Sequence, residues 1–534
     1  MPDALSITVK EVSVHLGGRH LLEVPDLTIE TGQKYLITGR SGSGKTLCLK
    51  LLMGQLPTSS VSAKGRFTVS TGKTLVQNYS KYRRNQVVAR RLSTIFQDAI
   101  NSLHPYRSIA AQLSPIPCCE VCERFKTFNL NPNDFLNPQK PRYSKYCSGG
   151  ECQRISILSA LLRPERDIFL FDEPLTDIDL ISRLEIEQDI SQILCDKART
   201  VILVTHNTGW LSGIDLNHFN IEDQKLIFKG KGNFKKEDTL NENNQIKWSN
   251  NSSNITVLRF SVSRQFKFPN NDNFEFLPFD EEIKMVQGEG LALIGESGCG
   301  KTSLLKMIAG LMPEHLYGKD FKAEIPWAGD FTPVQKIPRQ ARYGLLQLVL
   351  QDTTMTLITE EPIQKSLDLI CQLKGMNNNN EDKQRFKKLA ADWMAHLQLS
   401  PDDLLKNNKR IKELSLGMMR RFSLLRAFLL LDIYNQADQN KPKLLLLDEI
   451  SRGLDPISLD QVVSGLSKFC EENNTIIIAV SHDIEFVSRV CSRARIVQLD
   501  RTDERCHNGK MLPRDIELLG TPEDREILLD HWPH

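Results

Sequence analysis

The chain has 534 residues, more than one hydrophobic core usually serves, so two or more domains are expected. Apolar residues make up 40% and charged residues 25% of the sequence, as in ordinary soluble globular proteins. Because 68 basic residues nearly balance 66 acidic ones, giving a net charge of +2, bulk electrostatics argue against general nucleic-acid binding.

Neither a membrane span nor a signal peptide is expected from the sequence. The longest apolar runs, such as "TIIIAV" at residues 475–480, are far shorter than a transmembrane helix. The first residues, "MPDALSITVK", lack the charged and apolar regions of a signal peptide. We therefore predict a cytoplasmic protein that reaches a membrane only through partners.

The first chemical motif is a glycine-rich loop between a strand and a helix. The apolar segment "KYLITG" at residues 34–39 leads into "RSGSGKT", and a helix-like segment follows. This context supports a GxxxxGK[ST] P-loop, in which backbone N–H groups and a helix N-terminus converge on phosphates. Lys45 is expected to reach the β- and γ-phosphates and Thr46 to hold Mg²⁺. The predicted ATP-binding residues of this loop are Gly39, Ser41, Gly42, Ser43, Gly44, Lys45 and Thr46.

Further along, an acidic pair and a histidine follow apolar runs. Asp172 ends the run "FLFD", where a carboxylate can support Mg²⁺, and Glu173 follows it and can polarise a water. Alternation along a strand is expected to turn these two side chains to different faces. His206 ends the run "TVILVTH". A histidine at the end of a strand either contacts the γ-phosphate or is a polar residue whose hydrogen bonds are satisfied within the protein.

The second half of the chain repeats these features in the same order. "GRSGSGKT" matches "GESGCGKT" at residues 295–302, "FLFDEP" matches "LLLDEI", and "VTH" matches "VSH". Such order indicates two copies of one domain, and the recurrence of the histidine favours a functional role for it. The predicted residues of the second copy are Gly295, Ser297, Gly298, Cys299, Gly300, Lys301 and Thr302 for ATP, with Thr302 and Asp448 for Mg²⁺ and Glu449 and His482 for catalysis.

The boundary between the copies is expected in a segment poor in apolar residues. "EDTLNENNQIKWSNNSSN" at residues 237–254 is rich in Asn, Ser and Glu, which is typical of a flexible linker. We predict a first domain at residues 1–236, a linker at 237–254 and a second domain at 255–534.

The whole set of motifs resembles the ABC ATPase family. It includes "CSGGECQRIS" at residues 147–156 and "LSLGMMRR" at residues 414–421, which resemble the family signature. The resemblance implies an α/β fold of two tandem P-loop nucleotide-binding domains. Each is expected to have a RecA-like core, an antiparallel β subdomain and a helical signature subdomain.

The resemblance also implies roles for residues outside the P-loops. In the family, the signature of one domain caps the ATP bound to the P-loop of the other. The glutamines Gln97 and Gln351 are expected to sense Mg²⁺ and the attacking water, and Asp179 and Asp455 to bridge the domains. The residues expected to cap ATP are Ser148, Gly149, Gly150, Ser415 and Gly417.

A narrower resemblance concerns transport. "IFQDAINSLHP" at residues 95–105 is similar to a pattern of ATPases from dipeptide, oligopeptide and nickel importers. It implies a motor for peptide uptake, peripheral on the cytoplasmic face of the membrane, with two permease subunits, a solute-binding protein acting through them, and no nucleic acid. Nickel, another metal or a metallophore complex is the alternative substrate.

A different class of function stays open, namely a soluble tandem ABC protein that acts in translation or regulation. A resemblance to translation-type ABC proteins predicts a long, charged helical linker between the two domains, whereas the predicted linker here is short and rich in Asn.

The two ATP sites are predicted to differ. Leu416 stands where the family signature has a glycine, and a branched side chain there hinders close approach of the backbone to phosphate. By the family arrangement this affects the first site, so we expect the site of Lys301 to hydrolyse ATP faster. Cys299 lies within the second P-loop, where a bulky thiol reagent is expected to inhibit.

Overall fold

A computed structural model of the chain describes residues 6–39, 42–56, 61–70, 74–96, 102–113, 118–128, 130–147, 149–162, 166, 168–175, 178, 180–205, 208–211, 213–233, 246, 248, 256–263, 266–268, 271–276, 279–295, 299–312, 321–353, 356–373, 376, 379–405, 408–433, 443–473, 475–500, 507–512, 515–518 and 527–528. The chain divides into two compact units, Met1–Thr239 and Leu240–His534.

The first unit combines a large mixed sheet with short helices. Its strands are β1 (Ser6–Leu16), β2 (Arg19–Glu30), β3 (Lys34–Gly39), β4 (Val61–Ser70), β5 (Thr74–Gln77), β6 (Leu92–Ile95), β7 (Ile168–Asp172), β8 (Thr200–Val204), β9 (Asp215–Glu222) and β10 (Lys225–Asn233). Its helices are α1 (Lys45–Leu52), α2 (Tyr79–Tyr82), α3 (Gln86–Arg91), α4 (Ile109–Leu113), α5 (Cys118–Thr127), α6 (Pro132–Leu136), α7 (Gly149–Leu161) and α8 (Leu180–Cys195), with 3₁₀ turns at Ser144–Tyr146 and Gly209–Leu211.

These ten strands form one sheet in the order β5-β4-β1-β2-β10-β9-β3-β8-β7-β6. Strands β9, β3, β8, β7 and β6 pair in parallel, whereas β1 pairs antiparallel with both β2 and β4. The parallel strands β7 and β8 are buried at every residue, as expected when helices cover both faces of a sheet. This arrangement places the carboxyl ends of β3, β7 and β8 at one edge, where the motifs follow them.

The core of the first unit lies on both faces of this sheet. Along β7, Ile168 and Leu170 join the hydrophobic cluster that packs against α1, while Phe169 and Phe171 join the cluster that contains α7. Successive strand residues point to opposite faces, so the uninterrupted apolar run of this strand serves both clusters.

The second unit repeats this plan with a separate antiparallel sheet. Its strands are β11 (Thr256–Val262), β12 (Phe266–Phe268), β13 (Asn271–Phe276), β14 (Phe279–Val286), β15 (Gly290–Gly295), β16 (Phe321–Trp327), β17 (Asp330–Pro333), β18 (Leu346–Val349), β19 (Lys443–Asp448), β20 (Thr475–Val480), β21 (Arg493–Asp500), β22 (His507–Met511) and β23 (Ile516–Glu517). Its helices are α9 (Lys301–Ile308), α10 (Arg339–Tyr343), α11 (Ile363–Leu373), α12 (Asn380–His396), α13 (Pro401–Leu405), α14 (Leu416–Ile433), α15 (Pro456–Asn473) and α16 (Ile484–Val490), with 3₁₀ turns at Val334–Lys336 and Ile411–Glu413.

The main sheet of this unit has the order β12-β13-β22-β21-β15-β20-β19-β18, and β23 pairs with β21. Strands β21, β15, β20, β19 and β18 are parallel, and β14-β11-β16-β17 form the antiparallel sheet. Helices α14 and α15 pack beside the main sheet, on strands β18 and β20, and α11 and α12 pack on α14. The rings of Phe428 in α14 and Phe469 in α15 are stacked at a centroid distance of 4.2 Å. The predicted α/β fold is confirmed: each unit has a parallel core, antiparallel strands and a group of helices around its signature.

Two residues of the predicted linker are packed on the second unit. The N–H of Ile246 donates to the carbonyl of Arg489 at 3.0 Å, and Ile246 is buried. The ring of Trp248 lies over Gly290, where a Cβ atom would be only 2.6 Å from Cζ2. These two residues are therefore held on the second unit by specific contacts.

Among the helices that the structure describes, none combines the length and apolar character needed to cross a bilayer.

Candidate ATPase sites

The first P-loop joins β3 to α1 as the sequence predicts. Gly44 precedes the helix with a φ of 108°, a conformation that side-chain-bearing residues rarely adopt. Lys45 begins α1, and its Nζ donates to the carbonyl of Gly39 at 2.7 Å. The lysine thus folds over the first glycine of the loop. Gly42 and Ser43 lie between these residues, and Ser41 falls outside the described residues.

The second P-loop has the same construction between β15 and α9. Gly300 has a φ of 94°, and the Nζ of Lys301 donates to the carbonyl of Gly295 at 2.9 Å. A Cβ atom on Gly295 would lie 1.7 Å from the carbonyl oxygen of Val497, so only glycine fits there. Ser297 and Gly298 fall outside the described residues.

The thiol within this loop is not accessible. Cys299 has no exposed surface, and its Sγ donates to the carbonyl of Val497 at 3.1 Å. The expectation that a bulky reagent reacts at Cys299 is therefore disfavoured, because the thiol faces the neighbouring strand β21 rather than solvent.

A threonine and an aspartate meet beside each P-loop. The hydroxyl of Thr302 donates to Oδ1 of Asp448 at 2.9 Å, and Thr46 hydrogen-bonds Asp172 in the first unit. Burial raises the pKa of both aspartates, and the threonine hydrogen bonds oppose that rise. Hydroxyl and carboxylate oxygens are ligands that Mg²⁺ prefers, so the donor chemistry fits the predicted ion at both places.

The two glutamates do not continue their strands. Asp172 and Asp448 end β7 and β19, while Glu173 and Glu449 each have a φ of 51°, in the left-handed region. The N–H of Glu449 still donates to the carbonyl of Val480 on the adjacent strand at 2.8 Å. The expected strand alternation is therefore wrong at this step, because a left-handed turn directs each glutamate. Such conformations persist only where surrounding contacts hold them.

Glu449 and His482 face each other at the carboxyl edge of the second sheet. Nε2 of His482 lies 3.3 Å from Oε1 of Glu449, and the N–H of His482 donates to Oε2 at 3.4 Å. Burial raises the pKa of Glu449 to about 7. Burial, followed by the charges of Lys301 and Arg452, holds the pKa of His482 well below its usual range. The pair is thus a neutral imidazole beside a carboxyl group that titrates near neutrality.

The predicted glutamines are described only in the second unit. Gln351 lies two residues beyond β18 and is partly exposed. Strand β18 pairs in parallel with β19, whose last residue is Asp448, so both residues lie at the same edge of the sheet. Gln97 and His206 of the first unit fall outside the described residues.

The first signature lies at the start of α7. The helix begins at Gly149 and continues through Gly150, and Ser148 lies outside the described residues. Glu151 stands where the family has glutamine, and both its carboxylate oxygens accept from Nη2 of Arg142 at 3.1 Å. This acidic replacement is therefore neutralised within its own domain.

The second signature begins α14 and presents its leucine to the surface. The hydroxyl of Ser415 accepts from the N–H of Met418 at 3.2 Å. Leu416 is 41% exposed, and its Cδ2 lies 3.6 Å from where a Cβ atom of Gly453 would stand. At Gly417 a Cβ atom would approach the hydroxyl of Ser458 to 3.0 Å. The substitution thus adds an exposed apolar side chain at the beginning of the signature helix.

Of the two aspartates expected to bridge the domains, the structure describes Asp455 of the second unit. The carboxylate of Asp455 accepts from both the N–H and the hydroxyl of Ser458, each at 3.0 Å, which satisfies donors in the first turn of α15. Asp179 falls outside the described residues.

Sequence reasoning missed Arg420, which lies within the second signature. Its side chain is 4% exposed, and Nη1 donates to the carbonyls of Glu449 and Ile450. The available signal is the first arginine in "MMRR", which stands where the first signature has the glutamine of "CQR".

Comparisons with known proteins agree with this geometry. The sequence profile described as ABC transporter matches residues 22–176 and 280–452. A Treponema denticola protein named as an ABC transporter ATP-binding protein is 24% identical over 88% of this chain and 90% of its own length.

Solved structures resemble the chain over nearly its whole length. An RNase-L inhibitor matches 94% of this chain and 90% of its own with a TM-score of 0.61 at 19% identity. A chain in the crystal structure of the complex of archaeal ribosomal stalk protein aP1 and archaeal ribosome recycling factor aABCE1 matches 95% of this chain and 90% of its own, with a TM-score of 0.59 at 19% identity. At such identities these likenesses show the fold.

The comparisons correct the predicted partners. The tandem proteins that share the fold include one that matches 95% of this chain and was solved with a ribosomal stalk protein. The predicted partner set of two permease subunits, a solute-binding protein and no nucleic acid is therefore wrong.

The profile matches cover more than half of the chain and include both P-loops and both aspartate–glutamate pairs. ABC ATPase domains bind ATP, generally with Mg²⁺, and the donor sets beside both P-loops suit this chemistry. The chain belongs to the ABC transporter family, as an ATPase with two tandem nucleotide-binding domains.

Proposed function

We propose that this chain is an ATP-driven motor that acts on a ribosomal partner. The observation that carries the proposal is the likeness over 95% of the chain to a tandem protein solved with a ribosomal stalk protein. A single chain that carries both nucleotide-binding domains suits such a role, because it needs no second ATPase subunit.

At the second site, the chain's own groups have the chemistry for hydrolysis. Lys301 is proposed to bind the β- and γ-phosphates, while Thr302 and Asp448, whose oxygens are 2.9 Å apart, hold Mg²⁺. When bound, the ion supplies charge that neutralises the phosphates.

Glu449 is proposed as the general base that takes a proton from the attacking water. Its pKa of about 7 suits proton transfer near neutral pH, since an efficient base has a pKa close to the working pH. The backbone N–H of His482 donates to Oε2 of Glu449 at 3.4 Å, so this residue is proposed to orient the carboxylate, and its neutral imidazole leaves the carboxylate without a neighbouring positive charge from the ring.

At the first site, Lys45, Thr46, Asp172 and Glu173 have the corresponding proposed roles. His206 and Gln97 complete the proposed set there, and Gln351 its counterpart in the second domain. The difference in turnover, with the site of Lys301 faster, belongs to the same proposal.

The ribosomal role is tested with a chain that binds ATP without hydrolysing it. The double variant Glu173→Gln/Glu449→Gln is expected to sediment with ribosomes or their subunits when ATP is present and to leave them with ADP. Its matched control is Lys45→Ala/Lys301→Ala, which removes the phosphate-binding amines and is expected to stay at the top of the gradient with either nucleotide.

Sedimentation of the double variant with membranes instead of ribosomes would contradict the ribosomal role. That outcome would favour the predicted import of peptides, or of nickel or a metallophore complex, which remains a prediction.

A further inference from the structure

Arg420 lies at the contact between the signature helix and the residues that follow β19. It is five residues from Ser415, about one and a half turns into α14. Its guanidinium is buried, and Nη1 donates to the carbonyl of Glu449 at 3.2 Å and to that of Ile450 at 2.5 Å. One buried cation therefore bridges two successive carbonyls at the proposed general base.

The backbone of Glu449, which Arg420 contacts, has an unfavourable conformation that other groups must hold in place. Glu449 has a φ of 51°, which is unfavourable for a residue with a side chain. The N–H of Glu449 is held by Val480, and its carbonyl also accepts from Arg452 at 3.2 Å. With Arg420 added, the peptide on each side of the Glu449 Cα is held, and with it the direction of the Cα–Cβ bond from which the carboxylate extends.

The first domain offers an internal comparison. Gln153 has the position of Arg420, five residues after Ser148, and Glu173 has the same φ of 51°. The Nε2 of Gln153 donates to the carbonyl of Pro174 at 3.3 Å, and Pro174 matches Ile450. The contact between signature helix and strand end thus exists in both domains, with an amide in the first and a charged guanidinium in the second.

We propose that Arg420 is a positioning residue for Glu449, one that ties the signature helix to the backbone of the general base. Because α14 begins at Leu416, within the signature residues Ser415–Gly417, and Arg420 is buried, displacement of the signature is expected to move the guanidinium and the carbonyls it holds. The inference rests on the proposed function of Glu449.

The test compares two arginines that are neighbours in the helix. Arg420→Gln gives the second domain the residue that the first domain has, so folding is expected to be retained. Arg421→Gln is the matched control, because Arg421 is also buried and donates to backbone carbonyls away from Glu449, those of Leu397 at 3.1 Å, Gln398 at 3.0 Å and Gly417 at 3.3 Å. Gly417 is expected to cap the first site, which the Glu173→Gln background already inactivates. Both are made in a Glu173→Gln background, so that turnover reports the second site.

We expect Arg420→Gln to lower kcat about tenfold with KM for ATP changed less than about twofold, since the reacting geometry is lost and binding is retained. Arg421→Gln is expected to lower the melting temperature while kcat stays within about twofold. Arg420→Lys keeps the charge but not the planar fork, and an intermediate kcat is expected.

Equal kcat losses in Arg420→Gln and Arg421→Gln would show a merely structural role and overturn the inference, as would an unchanged kcat in Arg420→Gln. The variant Glu449→Gln separates this failure from that of the proposed function. If Glu449→Gln retains full activity in the same background, the role of Glu449 is wrong; if it is inactive while Arg420→Gln is normal, only the inference is wrong.

Discussion

Turnover at the second site is expected to follow the ionisation of Glu449. Burial raises its pKa from 4.5 to about 7, and a general base acts only as the carboxylate. A single titration at that pKa leaves about 9% of the group ionised at pH 6 and about 91% at pH 8. We therefore expect kcat/KM for ATP to rise about tenfold between these pH values.

The assay uses the Glu173→Gln variant, so that hydrolysis reports the second site. The parameter kcat/KM is the appropriate one because it reports groups of the free enzyme. His482 adds no slope in this window, since its pKa lies well below the usual range and the imidazole is neutral throughout.

A control separates catalysis from binding. ATP affinity of the Glu173→Gln/Glu449→Gln variant, measured at each pH, is expected to change less than about twofold, as neither glutamine titrates. A flat kcat/KM profile from pH 6 to 8, which a carboxyl group with an ordinary pKa gives, would refute the reasoning.

Three further outcomes are expected. Glu449→Gln should lower ATPase activity of the otherwise native chain more than Glu173→Gln, and equal losses in steady-state assays would contradict the predicted asymmetry. N-ethylmaleimide should modify Cys147 faster than the fully buried Cys299, because Cys147 is partly exposed and a hydrogen bond with the thiol of Cys152 lowers its pKa. Peptide mass spectrometry measures the order of labelling, and faster labelling of Cys299 would show that the P-loop opens. Phe428→Ala should destabilise the second domain by about 3–5 kcal/mol, because the ring is fully buried and stacked on Phe469, and urea unfolding followed by tryptophan fluorescence measures the loss.

The P-loops could be predicted because their determinants are local. A strand, a glycine-rich turn and a helix lie within residues 34–52 and again within 290–308, and each step follows from a short sequence. The aspartates were found in the same way, since each ends an apolar strand. Because the motifs recur in the same order, the sequence also predicts that the chain contains two copies of one domain.

The left-handed glutamates could not be predicted from their strands. Glu173 and Glu449 follow apolar runs that predict continued β-structure, yet both have a φ of 51°. The contacts that hold this conformation come from distant segments, with Val480 and Arg420 both about 30 residues away in sequence. Local propensity favours the strand, and tertiary contacts override it.

If the two sites differ in turnover as predicted, we expect the cause to lie around the reacting groups rather than in them. Each domain has a lysine on the first P-loop carbonyl, a threonine on the strand-end aspartate and a glutamate in a left-handed turn. The signature helices differ, since Leu416 and Arg420 replace Gly149 and Gln153, and the second P-loop has Cys299 where the first has Ser43. Because the helix that carries Leu416 and Arg420 donates a hydrogen bond to the backbone carbonyl of Glu449, we expect a change at the signature to alter the proposed catalytic carboxylate of its own domain as well as the surface it presents.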